Sequence, residues 1–477
     1  MDEYSLIQNV FGLGKKVKYL SFLYNQNIIK NFFYLYATLF MLFLIYFFSN
    51  IDALGTVVSI MSFAVLLISW LFASRLFKMI GAAFISTGVI LSFTAGDSFQ
   101  TIISNTTSNL PLLFFFSILP WIGTVVKVGG LDESITEMVQ DEQNRVEKIY
   151  GRSLFTTYFL GVFLNLSAIY IIQQVLSELF KKATVTLRQE FIIKSTLRAF
   201  SLAVIWSPLE VIVGLTVDST GLSYFTLLPW LILCSVVTCL SEIYISRKEF
   251  KNVEFDAPFK NVNKKELKHS IIKMLVLLVS FMTLVMTLNS FSNLGFIMTV
   301  ALIIIPFSFV TAIIMQKFEL FVKGGWTAWR NHNNTLQNFA VLFLSLGIFS
   351  EGFNVSPLPG LMQQVFGYID SYVVLILILI MLVIYALAMF GVHPIATLAI
   401  LFEVLGPVMN SENMLSIAIV MIVCGLSIAP AAPYGLNATM TSQYLRINPY
   451  KITKINIGFA FRMGFIAIAI AMIPTLF

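Results

Sequence analysis

From Asn31 to the end of the chain, apolar runs of about 20 residues alternate with short polar turns, the length at which a helix crosses a hydrocarbon core of roughly 30 Å. Backbone polar groups in lipid must bond to one another, so these runs predict an all-α polytopic membrane protein. The candidates lie at 31–49, 53–73, 79–94, 111–126, 154–180, 191–217, 221–245, 271–289, 291–315, 335–352, 370–407, 413–440 and 456–477. If each were one crossing, the stretch 177–190, with Lys181, Lys182 and Arg188, would face the side whose turns hold no Lys or Arg. That contradicts the retention of basic loops in the cytoplasm.

The conflict disappears if 154–180 is a re-entrant hairpin bent at Asn165-Leu166-Ser167. Each arm is then about a dozen residues, too short to span. A second hairpin is expected at 370–407, bent at Gly391-Val392-His393-Pro394, where Gly391 relaxes the backbone and Pro394 lacks a donor. Segments 1–30, 74–78, 127–153, 181–190, 246–270, 316–334 and 441–455 then lie in the cytoplasm. Together with the adjoining ends of the spans they hold all 30 Lys and Arg, while 95–110, 353–369 and 408–412 hold none. The expected placement is a multi-pass protein of the cell membrane that starts in the cytoplasm and ends outside. The first 30 residues show no apolar core with a small-residue cleavage site, so no removable signal peptide is expected.

After a cytoplasmic N-terminus and leading helix at 1–52, one order of elements occurs twice: three helices, a hairpin, an interrupted helix and a final helix. The first repeat is 53–245, with hairpin 154–180 and broken helix 191–217; the second is 271–477, with hairpin 370–407 and broken helix 413–440. The linker 246–270 carries seven Lys and Arg against four acidic residues. Ser167 and Ser207 are 40 residues apart, and His393 and Pro430 are 37 apart, so hairpin-to-break spacing nearly matches. The expectation is about 11 transmembrane helices plus two re-entrant hairpins in two inverted-topology repeats, a pattern that secondary transporters use to build a site near mid-membrane.

Composition agrees with this class. Hydrophobic residues make up 58% of the chain and charged ones 11%, against about a quarter charged in soluble domains. The net charge of +6 is spread over short loops, which orients a membrane protein and does not form a nucleic-acid surface. Cys234, Cys239 and Cys424 fall inside apolar runs, where they act as small hydrophobes.

Each repeat has a span broken by proline, one at Trp206-Ser207-Pro208-Leu209-Glu210 and the other from Ser427 through Pro430 and Pro433 to Asn437. Proline removes a helix bond and clashes with the preceding turn, and the freed backbone groups need partners. An ion or substrate is one such partner; a simple kink is the bland alternative. The candidate binding residues are Asn165, Ser167, Ser207, Glu210, His393, Thr397, Ser427 and Asn437, with no catalytic residue and no metal beyond sodium. Neutral oxygen-bearing side chains also serve as ordinary inter-helix hydrogen bonds. Ionisable groups inside apolar runs are expensive, so Glu210, His393 and Glu403 are candidates to bind sodium or carry a proton. The alternatives are that Glu210 caps a short helix, His393 donates to a backbone carbonyl and Glu403 faces outer water. Arg198 reads either as an anion attractor or as a snorkelling anchor. The 127–153 stretch reads as a solvated amphipathic helix, and 316–334, with Trp326 and Trp329 among basic residues, as an interfacial helix.

This architecture resembles the ion transporter superfamily, which includes the divalent anion/sodium symporters, citrate carriers and arsenite or sodium/proton transporters. The symporters carry Ser-Asn-Thr at their hairpin tips; here the tips read Asn165-Leu166-Ser167 and Gly391-Val392-His393-Pro394. The second break is similar in character to theirs, so the resemblance carries over to Ser167, Pro430 and Asn437. It implies an elevator motion, a small anionic solute coupled to sodium or proton flow, no other cofactor, and a homodimer. Two other functions compete: a carrier of a lipid-linked envelope intermediate, and a membrane-embedded enzyme acting on lipid or polyprenyl phosphate. No HExxH, Walker or paired-Asp motif supports the enzyme.

Overall fold

The structure is a computed structural model that describes residues 31–140, 146–251, 264–292, 294–366, 372–406, 409–410 and 412–476. Parts of the sequence expectations lie outside the described residues: all of 1–30, 141–145 of the acidic stretch, 252–263 of the linker, 367–371 and 407 around the second hairpin, and 408 and 411 in the turn after it.

Every regular element among the described residues is a helix. Three long helices, α1 (Phe32–Ser49), α2 (Asp52–Phe72) and α3 (Arg75–Ala95), precede four short ones: α4 (Phe99–Ser104), α5 (Leu110–Ile118), α6 (Pro120–Val128) and α7 (Leu131–Thr136). Then come α8 (Val146–Leu164), α9 (Leu166–Leu179), α10 (Val185–Ile193), a π-turn at Lys194–Arg198, α11 (Ala199–Val204), α12 (Val211–Thr220) and α13 (Tyr224–Glu249). A framing group follows: α14 (Lys264–Phe291), α15 (Phe296–Ile314), the amphipathic α16 (Phe318–Asn333), α17 (Gln337–Val355) and α18 (Leu358–Phe366). The chain closes with α19 (Val373–Met389), α20 (Pro394–Leu405), α21 (Met414–Ser427), α22 (Leu436–Leu445) and α23 (Pro449–Ala471).

Nine segments among the described residues are long and apolar enough to cross a membrane, with the run Phe99–Val128 counted as one. Large apolar side chains such as Met41, Leu71, Met79, Leu240 and Val276 are exposed on their outer faces, the reverse of a water-soluble surface. The protein is a polytopic, all-helical membrane protein.

The framing helices meet closely. Glycine lets α3 and α17 cross backbone to backbone: a Cβ on Gly88 would stand 2.5 Å from the Ile348 carbonyl oxygen, and one on Gly352 equally close to the Gly88 carbonyl. Small residues at such crossings are how membrane helices approach without a hydrophobic drive between them. Polar bonds fasten the neighbours. Tyr36 of α1 bonds Ser69 of α2 at 2.8 Å, and the Asn338 side chain accepts from the Ser74 amide at 2.8 Å. On α16, Asn333 accepts from Ser117 at 2.7 Å, His332 Nε2 bonds the Phe116 carbonyl at 3.0 Å, and Trp329 donates to Ser117. Its Phe318, Leu320 and Trp326 remain exposed.

Three stretches refine the sequence reading. The stretch 95–110, left between two candidate spans, is itself folded: Ser98 caps α4, and Thr106 is fully buried in the short 3-10 turn that follows. The 127–153 stretch is not one amphipathic helix: α7 ends at Thr136, a 3-10 turn follows at Glu137–Gln140 and α8 starts at Val146, while Leu131, Ile135 and Val139, four residues apart, are buried. Finally, α8 begins at Val146, well before the expected 154, and has 19 residues. Its first two turns carry Glu147, Lys148 and Arg152, so the apolar part after them is still only about a dozen residues.

Candidate functional site

The elements around the two proline breaks are positioned by short polar turns. At the first tip, α8 and α9 meet at Asn165, which adopts φ +48° and ψ −134° and turns its own side chain back to accept from the Leu166 amide at 2.7 Å. Asparagine tolerates positive φ better than most residues because its short side chain bonds locally. Ser207 organises the neighbouring break. Its hydroxyl accepts from the Leu209 amide and donates to the Val162 carbonyl of α8, each at 3.2 Å. Glu210 ends the break: its carboxyl lies beside the Asn165 side chain and the amides of Val211 and Ile212, without closing a cap hydrogen bond.

The second pair is built the same way with different residues. Between α19 and α20, Gly391 adopts φ +90°, and its Cα sits against Tyr434 of the second break, where an added Cβ would stand 3.2 Å from the tyrosine Cβ. His393 caps α20, its Nδ1 accepting from the Ile395 amide at 3.3 Å. The neutral ring then carries its proton on Nε2. Its ring packs near Phe77 of α3 and Phe339 of α17.

The two pairs are interleaved. Gln173 of α9 donates to Thr441 of α22 at 2.9 Å and to Thr196 of the π-turn at 3.2 Å. Ser201 of α11 donates to the Leu426 carbonyl at the end of α21 at 2.9 Å. On the other side, Leu398 of α20 and Ile212 of α12 both border Gly425 of α21. Each tip therefore meets the break of its own half, and its returning helix packs on the broken helix of the other half.

The predicted site residues divide accordingly. Asn165, Ser207 and Glu210 come together. Ser167, by contrast, is exposed on the first turn of α9 and takes no part in the bend. Ser427 is engaged in packing, since its hydroxyl bonds Tyr385 of α19 at 2.6 Å and the tyrosine also donates to the Ala460 carbonyl. Thr397 is buried on the first turn of α20 with no hydrogen-bond partner for its hydroxyl. Asn437 is buried on the first turn of α22, whose Gly435 N-cap has no side chain to cover the leading amides. Glu403 is half-buried against Ser350, Glu351 and Asn354 of α17.

The largest group absent from the sequence reading is a buried ionic knot. Glu242 of α13 is fully buried and receives Tyr150 at 2.6 Å, Arg198 at 2.7 Å and also Arg462 of α23. Arg198 donates further to the Asn456 side chain at 2.9 Å and the Ile455 carbonyl at 2.7 Å. Arg198 is thus neither a snorkelling anchor nor free for an anion. A signal did exist: Glu242 lies within the apolar run 221–245 and Arg462 within 456–477, and intramembrane charges call for partners.

Comparison with known proteins supplies a fold and no family. No protein-family model matches the chain, and no curated protein matches it in sequence. Seventeen chains of solved structures resemble it. One is the crystal structure of the YdaH transporter of Alcanivorax borkumensis, described as having an unusual topology. It aligns with a TM-score of 0.59 and 15% identity over 83% of this chain and 97% of that one. The two chains share a fold.

Proposed function

We propose that the protein is a secondary active transporter of a small anionic solute, coupled to sodium or proton flow. The observation that carries this reading is that each tip meets a proline break, through the Ser207–Val162 bond in one half and the Gly391–Tyr434 contact in the other, and that the halves are joined by the Gln173–Thr441 and Ser201–Leu426 bonds. A static membrane helix bundle has no need of four interrupted helices at one place, whereas alternating access to a central site uses such breaks. The likeness to a transporter fold supports the same class.

An anion fits because α22 begins at this junction behind Gly435, with no side chain over its leading amides, whereas the Val211 and Ile212 amides of α12 already face the Glu210 carboxyl. Those amides of α22 and the positive end of its dipole favour negative charge. Thr397 and Asn437 add buried polar groups to the same region. On this reading α8–α9 and α19–α20 are re-entrant hairpins, the chain is an inverted repeat with the N-terminus cytoplasmic and the C-terminus outside the cell membrane, and Glu210 takes the coupling cation. The architecture then belongs with the ion transporter superfamily, the two hairpins and broken helices travel as an elevator against the framing helices, and the protein works as a homodimer.

The test is uptake by proteoliposomes of a panel of small carboxylates and inorganic anions under separately imposed sodium and proton gradients. Accumulation of at least one anion, abolished by collapsing one gradient, is expected. If correctly inserted protein moves none of them under either gradient, the proposal fails.

A further inference from the structure

Just past the end of α21, Pro430 lies in non-helical backbone. Among the described residues no backbone amide takes its carbonyl. It is held instead by Asn456 of α23, whose amide nitrogen donates to it at 3.1 Å. The other end of that side chain, the Asn456 oxygen, accepts from Arg198 Nε at 2.9 Å. The neighbours fix which end is which: a carbonyl needs a donor and a guanidinium needs an acceptor, so the reverse orientation would face like groups at both ends.

Arg198 belongs to the π-turn of the first broken helix and is itself locked by Glu242 and by the Ile455 carbonyl. A continuous chain of bonds thus runs from Glu242 through Arg198 and Asn456 to the carbonyl of the second break. Asn456 is fully buried. Shape-filling alone would be met by apolar side chains at lower desolvation cost. The last link of this chain goes to non-helical backbone, which is where bonding geometry sets the path of the chain.

We propose that Asn456 is a positioning residue that sets the geometry of the Pro430 break, and that the Arg198–Glu242–Arg462 knot makes the two breaks one mechanical unit. This rests on the transport reading for its functional meaning. Its structural content stands apart and is tested without any solute.

The decisive variant is Asn456→Asp, which keeps the acceptor for Arg198 and removes the donor to Pro430. Hydrogen exchange of the ligand-free full chain in lipid nanodiscs should quicken about tenfold at 428–436 and remain unchanged at 199–212. Arg198→Lys keeps the charge facing Glu242 but cannot reach three acceptors at once, and it should quicken exchange at both segments. If Asn456→Asp fails to fold, Arg198→Lys carries the test alone. Exchange at 428–436 within about twofold of the native protein in the folded variants overturns the proposal. For whichever anion the uptake panel identifies, Asn456→Asp should raise the half-saturation concentration more than it lowers the maximal rate; the reverse split also overturns it. An uptake panel that finds no substrate defeats the transport reading and leaves the exchange result to stand by itself.

Discussion

At Asn165 a single residue holds a backbone conformation that few side chains accept, φ +48° with ψ −134°. A β-branched replacement meets both the φ penalty and the loss of the local cap, so Asn165→Val should destabilise the protein by about 2 kcal/mol. Asn165→Gly should melt within a few degrees of the native protein, because glycine adopts the same angles without strain and substitutes for a capping residue at small cost. A thermal melt in detergent separates the two; equal loss in both would show that the side chain and not the backbone angle matters. The neighbouring Glu210 carries the functional prediction. Glu210→Gln preserves the shape beside Val211, Ile212 and Asn165 but cannot bind a cation by charge. It should abolish gradient-driven accumulation and spare solute exchange, as measured in proteoliposomes. A variant that still concentrates solute would remove Glu210 from the coupling mechanism. Ser207, although at the break, already gives its hydroxyl to α8, so Ser207→Ala should cost about 1 kcal/mol of stability through that lost bond.

At the scale of elements, the α3–α17 crossing brings two helix backbones into direct contact at Gly88 and Gly352. Gly88→Leu would drive a side chain into the Ile348 carbonyl and the Phe349 backbone. The helices must separate, at a cost of about 1–3 kcal/mol typical of overpacking, and the yield of monodisperse protein in detergent should fall. Unchanged yield and melting would mean that the two helices slide freely past each other. Helix positions themselves were readable from the apolar runs, since α2, α3 and α17 end within a few residues of the expected limits. Two stretches are exceptions. α8 starts early because the helix at the end of the 127–153 stretch runs on without a break through Glu147, Lys148 and Arg152 into the apolar run. Likewise the polar stretch around Thr106 folds inward because Ser98 caps it and Ser108 donates to Glu351 of α17 at 2.9 Å.

For the whole molecule, the expected arrangement places Gln100 outside and Lys268 in the cytoplasm. Both positions are exposed, whereas Thr106 is fully buried and unsuited to labelling. In a cysteine-free background, Gln100→Cys should react with a membrane-impermeant maleimide in intact cells and Lys268→Cys only after permeabilisation. The opposite pattern would invert the topology. What the sequence alone determined is the class: a bilayer imposes a helix length and demands that backbone bonds close locally, and both leave periodic marks that a single chain displays. It also located the proline breaks, because proline's effect is confined to its own turn. Tertiary structure alone decided who partners whom. Arg198 finds Glu242 44 residues away and Asn456 258 away, and Arg462 reaches Glu242 across 220. Whether Ser427 faces a site or a tyrosine likewise depends on α19, distant in sequence. Such pairings arise from the packing of separate helices, and no periodicity along the chain records them.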